Sequence, residues 1–204
     1  MPREDNSTWV TLEISAAPVN LFEFLKNSER LFRLNPYLDI KKWEEGATAS
    51  RIHLEALNEM NGVRYDVMID VESIQPNNRL LLRYNQGLKD ALEITLQAAS
   101  DSNKSLLTLR EHYHQTTPEQ RQRQLQEIDH SLIPWGNAIR LYVRGMQRWA
   151  WFWPYRWYRE KFWLGMRPMQ RRIARMLLWV TLLEFVIFLF IFTIYWLELV
   201  RQSV

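Results

Sequence analysis

Ile14–Pro36, ISAAPVNLFEFLKNSERLFRLNP, is the stretch on which the fold turns. Ala16-Ala17-Pro18 opens a helix, because the fixed φ of proline and its missing N–H suit a first helical position. Val19, Phe22 and Leu25, with Leu21, then follow at helical spacing. Ser28 is placed to cap a second helix carrying Leu31, Phe32 and Leu34. Asn35-Pro36 ends it, since the residue before a proline avoids the helical region. Two short helices therefore stand between whatever precedes Ile14 and whatever follows Pro36.

Upstream, Trp9, Thr11 and Glu13 alternate with Val10, Leu12 and Ile14, the period of a half-buried strand. Downstream come six more alternating runs: LDIKKW, SRIHLEAL, GVRYDVMIDVESI, RLLLRY, ALEITLQAA and SLLTLREHYH. The turns between them, Met60-Asn61-Gly62, Gln75-Pro76-Asn77-Asn78, Gln86-Gly87 and Asp101-Ser102-Asn103, leave no room for a crossover helix, so consecutive strands pair antiparallel. From Pro118 to about Gln147 the period turns helical, with Leu125, Ile128, Leu132, Trp135, Ile139 and Tyr142 or Val143 on one face. Pro134 must kink or split that helix.

The order strand, two short helices, six antiparallel strands and a long C-terminal helix resembles the helix-grip fold of the START-like superfamily, also called Bet v1-like or SRPBCC, over roughly residues 7–147. The predicted class is α+β, a seven-stranded curved antiparallel sheet closed by the long helix. The resemblance implies an apolar guest, such as a lipid, sterol, quinone or polyketide-sized molecule, between sheet and helix. Strand and helix periodicity nominates the lining as Ile52, Leu54, Tyr65, Val67, Ile69, Tyr84, Leu92, Ile94, Leu109, Tyr113, Leu132, Trp135 and Ile139. The same positions would serve equally as a dry core. The superfamily also contains cyclases and aromatases; for an enzyme of that type the titratable candidates are Tyr65, Tyr84, Glu111 and Tyr113.

The chain has 204 residues and no cysteine, which excludes disulfides and thiolate metal sites. Its net charge of +3 is unevenly placed. Residues 1–139 hold 15 Lys/Arg and 20 Asp/Glu, whereas 140–175 hold ten Lys/Arg and a single acid, Glu160. After that basic segment, Met176–Val200 reads MLLWVTLLEFVIFLFIFTIYWLELV, apolar except for Thr181, Glu184, Thr193 and Glu198. About 22 residues at ~1.5 Å each cross the hydrocarbon of a bilayer. The Leu, Ile, Phe and Val residues between Leu177 and Leu197 favour insertion by roughly 4 to 9 kcal/mol, against about 3 for a central carboxyl group. Residues 176–200 are therefore expected to form one transmembrane helix. Nothing in MPREDNSTW resembles a signal or transit peptide, so the expected arrangement is a single-pass C-terminal anchor behind residues 1–147. Basic residues crowd the upstream flank and only Arg201 follows, which places the large N-terminal part in the cytosol by the positive-inside bias.

Residues 148–175 join the two. Trp149, Trp151, Trp153, Trp157 and Trp163 are interleaved with Arg148, Arg156, Arg159 and Lys161, and Arg167, Arg171, Arg172 and Arg175 follow. Indole rings favour the headgroup level and cations favour anionic headgroups, so the segment is expected to lie at the membrane interface, bent at Pro154. Beside an anchor, lipid is the expected partner rather than nucleic acid. Glu184, deep in the apolar run, points to a membrane partner, a ligand headgroup or a protonated side chain in lipid. No cofactor, metal or catalytic set emerges. His112 and His114 share one strand face and His53 lies on another strand, but no carboxylate is placed beside them; Asp129 and His130 do not face each other on a helix. No nucleophile–base pair is evident, and six glycines form no phosphate loop. The expected function is membrane-tethered binding of a hydrophobic molecule, the alternatives being an accessory or assembly subunit of a membrane complex and a cyclase- or aromatase-type enzyme.

Overall fold

The computed structural model describes residues 7–46, 50–74, 78–87, 89–99, 103–113, 132–149 and 151–202. Seven strands form one sheet: β1 (Ser7–Ile14), β2 (Leu38–Glu45), β3 (Arg51–Asn58), β4 (Arg64–Ile74), β5 (Arg79–Tyr84), β6 (Lys89–Ala98) and β7 (Ser105–Tyr113). Their spatial order is β1-β7-β6-β5-β4-β3-β2. Every neighbouring pair is antiparallel, so β2 to β7 are a meander and β1 closes onto β7. Gly62 and Gly87 have positive φ, 74° and 101°, which explains why glycine occupies these two turns.

Between β1 and β2 lie α1 (Pro18–Leu25) and α2 (Ser28–Arg33). Ala17 is extended and Pro18 begins α1, which buries Leu21, Phe22 and Leu25. The cap of α2 is one residue earlier than the sequence pattern predicts. Asn27, not Ser28, accepts the Arg30 N–H through Oδ1 at 2.8 Å, because its backbone is extended while Ser28 is already helical. Glu29 and Arg33 pair one turn apart at 2.7 Å.

Helix α3 (Leu132–Trp149) covers the inner face of the sheet with Leu132, Trp135, Ile139, Tyr142 and Val143. Pro134 lies within the described part of α3; positions 118–131, where that helix was expected to begin, lie outside the described residues. Two contacts seat α3. The Trp135 indole N–H donates to the Leu31 carbonyl at 2.8 Å, a second donor to an acceptor that also takes the Leu34 N–H at 3.2 Å. Gly136 sits so close to β1 that a Cβ there would come within 2.3 Å of Leu12 Cδ1.

Beyond α3 the chain restarts as α4 (Trp153–Trp157), with Pro154 in its first turn, and continues through a single wide turn, Tyr158–Trp163, in which Leu164 N–H bonds to Arg159 O at 3.2 Å. Trp149 and Trp153 are therefore on different helices. The chain divides into two compact units, Met1–Gly165 and Met166–Val204, the first of which includes the aromatic stretch up to Gly165. The second unit contains α5 (Pro168–Gln202), 35 residues long. Its most apolar 18-residue window has a mean hydropathy of 2.6 and none of it is buried. A globular core helix of that composition would be covered, so α5 is a candidate membrane span.

Candidate functional site

Strand alternation decides what faces α3. Ile52, Leu54 and Ala56 of β3, Val67 and Ile69 of β4, Leu80 and Leu82 of β5, Leu92, Ile94 and Leu96 of β6, and Leu107 and Leu109 of β7 are all buried. Most of this surface is packed tight. At one end it opens into a recess lined by Phe32, Asn35, Leu38, Leu54, Tyr65, Tyr84, Lys89 and Trp135. The recess contains about 310 Å³ of empty space counting its open mouth, and inside it has room for little more than a water molecule. Phe32 packs on Trp135 and Trp43 with ring centroids 5.6 Å apart in each case, so the inner wall is a cluster of packed rings.

Lys89 stands on this inner face because of a bulge. The β6–β7 register shifts between Lys89 and Ala91, so Lys89 faces Tyr113 instead of following Ala91 and Glu93 to the outside. Its side chain is 8% exposed, and Nζ lies 2.6 Å from Oε1 of Glu111, which is 1% exposed. The Tyr113 hydroxyl donates to Glu111 Oε2 at 2.7 Å and is 3.3 Å from Thr8 Oγ1. Nζ also lies 5.7 Å from the centre of the Tyr65 ring. Glu111 thus has a donor on each oxygen, the condition under which a buried charge is tolerated. Burial, reinforced by the charge of Glu111, raises the pKa of Tyr113 well above the usual phenol value, which keeps its proton in place to donate.

Of the residues that strand and helix periodicity nominated, Leu54, Tyr65, Tyr84 and Trp135 line the recess. Ile52, Val67, Ile69, Leu92, Ile94, Leu109, Leu132 and Ile139 are buried within the surrounding core. Tyr113 is drawn into the ion-pair network. Phe32, Asn35, Leu38 and Lys89 complete the lining and were not anticipated. Phe32 and Leu38 had signals in the opening stretch and its neighbouring strand, whereas Lys89 had none, since alternation read from Ala91 stops short of the bulge.

In the stretch Trp149–Trp163, Trp151 and Trp153 are 78% and 71% exposed, and Trp149, Phe152, Trp157 and Phe162 are also exposed. Arg148, Arg156 and Lys161 are exposed as well. Arg159 is not directed outward in the same way. Its guanidinium lies over the rings of Tyr142, Trp163 and Tyr155, at 4.7, 5.5 and 5.9 Å, and forms part of the packing beneath α3. Tyr155 crosses α3 at Gly145, where a Cβ would come within 2.5 Å of its hydroxyl. In the second unit Arg171 is buried and donates from Nε to the Met166 carbonyl at 2.9 Å, while Arg167, Arg172 and Arg175 are exposed. Glu184 is exposed on α5, one turn before Phe188, which stacks on Phe192, itself in tilted contact with Trp196.

The outer face of the sheet carries ionic ladders. His53 Nε2 is 2.8 Å from Asp66 Oδ1, and Nδ1 is 3.5 Å from Glu44 Oε2. Asp66, foremost, and Glu44 raise the pKa of His53. Ligand atoms of His53, Glu55 and Asp66 lie within 4.8 Å of one another. The β3–β4 register creates this grouping by setting Glu55 opposite Asp66, information that residue spacing does not contain. His112 bonds Glu93 at 3.1 Å on the same outward side, and His114 lies outside the described residues.

Sheet order, the paired short helices and the covering α3 define an α+β helix-grip fold. Among solved structures, similar ones include the Zhui aromatase/cyclase from Streptomyces sp. R1128, with a TM-score of 0.53 and 13% identity over 71% of this chain and 96% of that one. The di-domain ARO/CYC BexL from the BE-7585A biosynthetic pathway matches with a TM-score of 0.54 and 11% identity, over 69% of this chain and 47% of that one. A START superfamily protein from Mycobacterium smegmatis matches with a TM-score of 0.49 and 15% identity, over 68% of this chain and 97% of that one. No protein-family model and no curated protein sequence matches the chain. At such identities the likeness establishes the fold.

Proposed function

We propose that this protein binds a hydrophobic small molecule in the recess between β3–β6, α2 and α3, and does so at a membrane to which α5 anchors it. The observation that carries the reading is the recess itself. Its walls are aromatic and aliphatic, with Lys89 and Asn35 as polar points, the composition of a small-molecule site rather than of a filled core. Half-buried Tyr65 and Tyr84 must swing outward to admit a guest larger than water. The uncovered apolar window of α5 supports the anchor, and the exposed Trp151 and Trp153 beside Arg148, Arg156 and Lys161 match a headgroup-level collar that contacts anionic lipid. With the anchor supplying attachment, the collar's role is to orient the domain. The crowd of basic residues before the apolar run of α5 and the single Arg201 after it favour a cytosolic domain.

The test is retention. The full chain is purified in detergent, and its solvent extract is compared by mass spectrometry with that of protein-free micelles. A hydrophobic molecule enriched in about equal amount to protein is expected, and it should be absent from Leu54→Trp, which fills the recess, once circular dichroism shows that variant folded. An extract identical to the micelle control contradicts the reading.

A further inference from the structure

The apolar run of α5, Met176–Val200, holds five hydroxyl or carboxyl side chains: Thr181, Glu184, Thr193, Tyr195 and Glu198. In hydrocarbon each needs a hydrogen-bond partner from protein, because no water is there to supply one. Thr193 has its own, donating from Oγ1 to the Leu189 carbonyl at 2.7 Å. The other four are exposed and make no hydrogen bond among the described residues. At about 100° per residue these four fall, with Leu177, Phe188 and Ile191, in one stripe about 100° wide, and Thr193 falls on the opposite side of the helix. Steps along the stripe alternate between three and four residues, the seam along which two helices pack with a shallow left-handed crossing.

The seam also repeats. Thr181 lies three residues before Glu184 and Tyr195 three before Glu198, so a hydroxyl–carboxyl pair occurs twice, two heptads apart. A surface that carries donors and acceptors in matched pairs is complementary to itself, which is what a two-fold interface requires. From this pattern we infer that α5 pairs in the membrane with α5 of a second copy of this chain, parallel and along Thr181, Glu184, Phe188, Ile191, Tyr195 and Glu198, the hydroxyls of one copy donating to the carboxyl groups of the other. The inference rests on the reading of α5 as a membrane span. Copies inserted in one orientation meet parallel, which sets each hydroxyl one helical turn from a carboxyl group of the other copy. Acyl chains offer these groups nothing, and intramembrane carboxyl groups characteristically face a partner.

Cross-linking tests the pairing. The chain has no cysteine, so one introduced cysteine reports one face. Ile191→Cys lies on the seam, and Leu189→Cys lies on the opposite face at nearly the same depth. Each full chain is purified, reconstituted in phosphatidylcholine vesicles over a series of protein-to-lipid ratios, recovered by flotation and oxidised with copper phenanthroline. Ile191→Cys is expected to give at least about tenfold more disulfide-linked dimer than Leu189→Cys, since only the seam brings two cysteines within reach. Ile191→Cys/Glu184→Leu should need about tenfold more protein per lipid for the same cross-linking. Ile191→Cys/Glu184→Gln, which keeps an acceptor, should match Ile191→Cys. A chain that floats with the vesicles but cross-links equally at both positions, or at neither, overturns the pairing and leaves the membrane span standing. Undiminished cross-linking in the Glu184→Leu variant, or a loss as deep in Glu184→Gln, overturns it as well. A chain that does not float with the vesicles overturns span and pairing together.

Discussion

Removing half of the Lys89–Glu111 pair should damage the fold far more than removing all of it. Nζ and Oε1 are 2.6 Å apart, with side chains 8% and 1% exposed. Lys89→Met leaves the Glu111 carboxylate with the Tyr113 hydroxyl but no cation, and stranding a buried charge in this way costs about 3 to 5 kcal/mol. Glu111→Leu takes the carboxylate away from the ammonium, and because the recess gives Lys89 some access to water this variant should lie at the lower end of that range. Lys89→Met/Glu111→Leu restores neutrality with similar volume and should lie within about 2 kcal/mol of the unaltered chain, so the coupling energy exceeds either single loss and approaches their sum. Urea unfolding of the full chain in non-ionic detergent, followed by circular dichroism in the strand region, measures all four. A double variant as unstable as the sum of the singles, or single variants that cost less than about 1 kcal/mol, would refute the reasoning.

Tyr113→Phe removes one of the two donors to Glu111 and should cost about 1.5 to 3 kcal/mol in the same assay. Because the folded state raises the pKa of Tyr113 above its unfolded value, the associated stability is complete below about pH 10 and is lost as pH climbs from there toward the folded value; Tyr113→Phe should flatten that alkaline slope. His53 is also raised, by Asp66 first, so its NMR titration midpoint should lie above the ordinary value of about 6.5 and fall back in Asp66→Asn. The stabilising contribution of His53 is present below the unfolded pKa and lost as pH rises through the folded one. Trp135→Phe removes the indole donor from the Leu31 carbonyl, which keeps the Leu34 N–H at 3.2 Å, and should cost about 1 kcal/mol, read as a lower urea midpoint with unchanged slope.

The architecture was legible because each of its parts leaves a local mark. Pro18 marks a helix start, RLLLRY falls on β5 with no residue to spare, and turns such as Gln86-Gly87 are too short for anything but an antiparallel return. The apolar half of the recess was legible for the same reason, since Leu54, Tyr65 and Trp135 obey strand and helix periods. What escaped depends on features that periodicity does not encode. The bulge beside Asp90 reverses which face Lys89 takes, so extending the alternation of β6 backward puts this lysine in solvent. Cross-strand register brings Asp66 to His53, and folding of the aromatic stretch back onto α3 encloses Arg159 among three rings while leaving Trp151 and Trp153 outside. A run of alternating rings and cations does not by itself say which of its members face lipid.

The account's central claim is that a ligand-binding domain works at the surface of the bilayer that α5 crosses. Spin-label accessibility tests it most directly. The chain has no cysteine, so single replacements at Trp151, Trp153, Leu189 and Glu55 can each carry a nitroxide in an otherwise unlabelled protein. In vesicles containing anionic lipid, the prediction is deep, oxygen-accessible burial at Leu189, headgroup depth at Trp151 and Trp153, and full exposure to a water-soluble relaxant at Glu55. Equal access of the water-soluble relaxant to all four positions would contradict it.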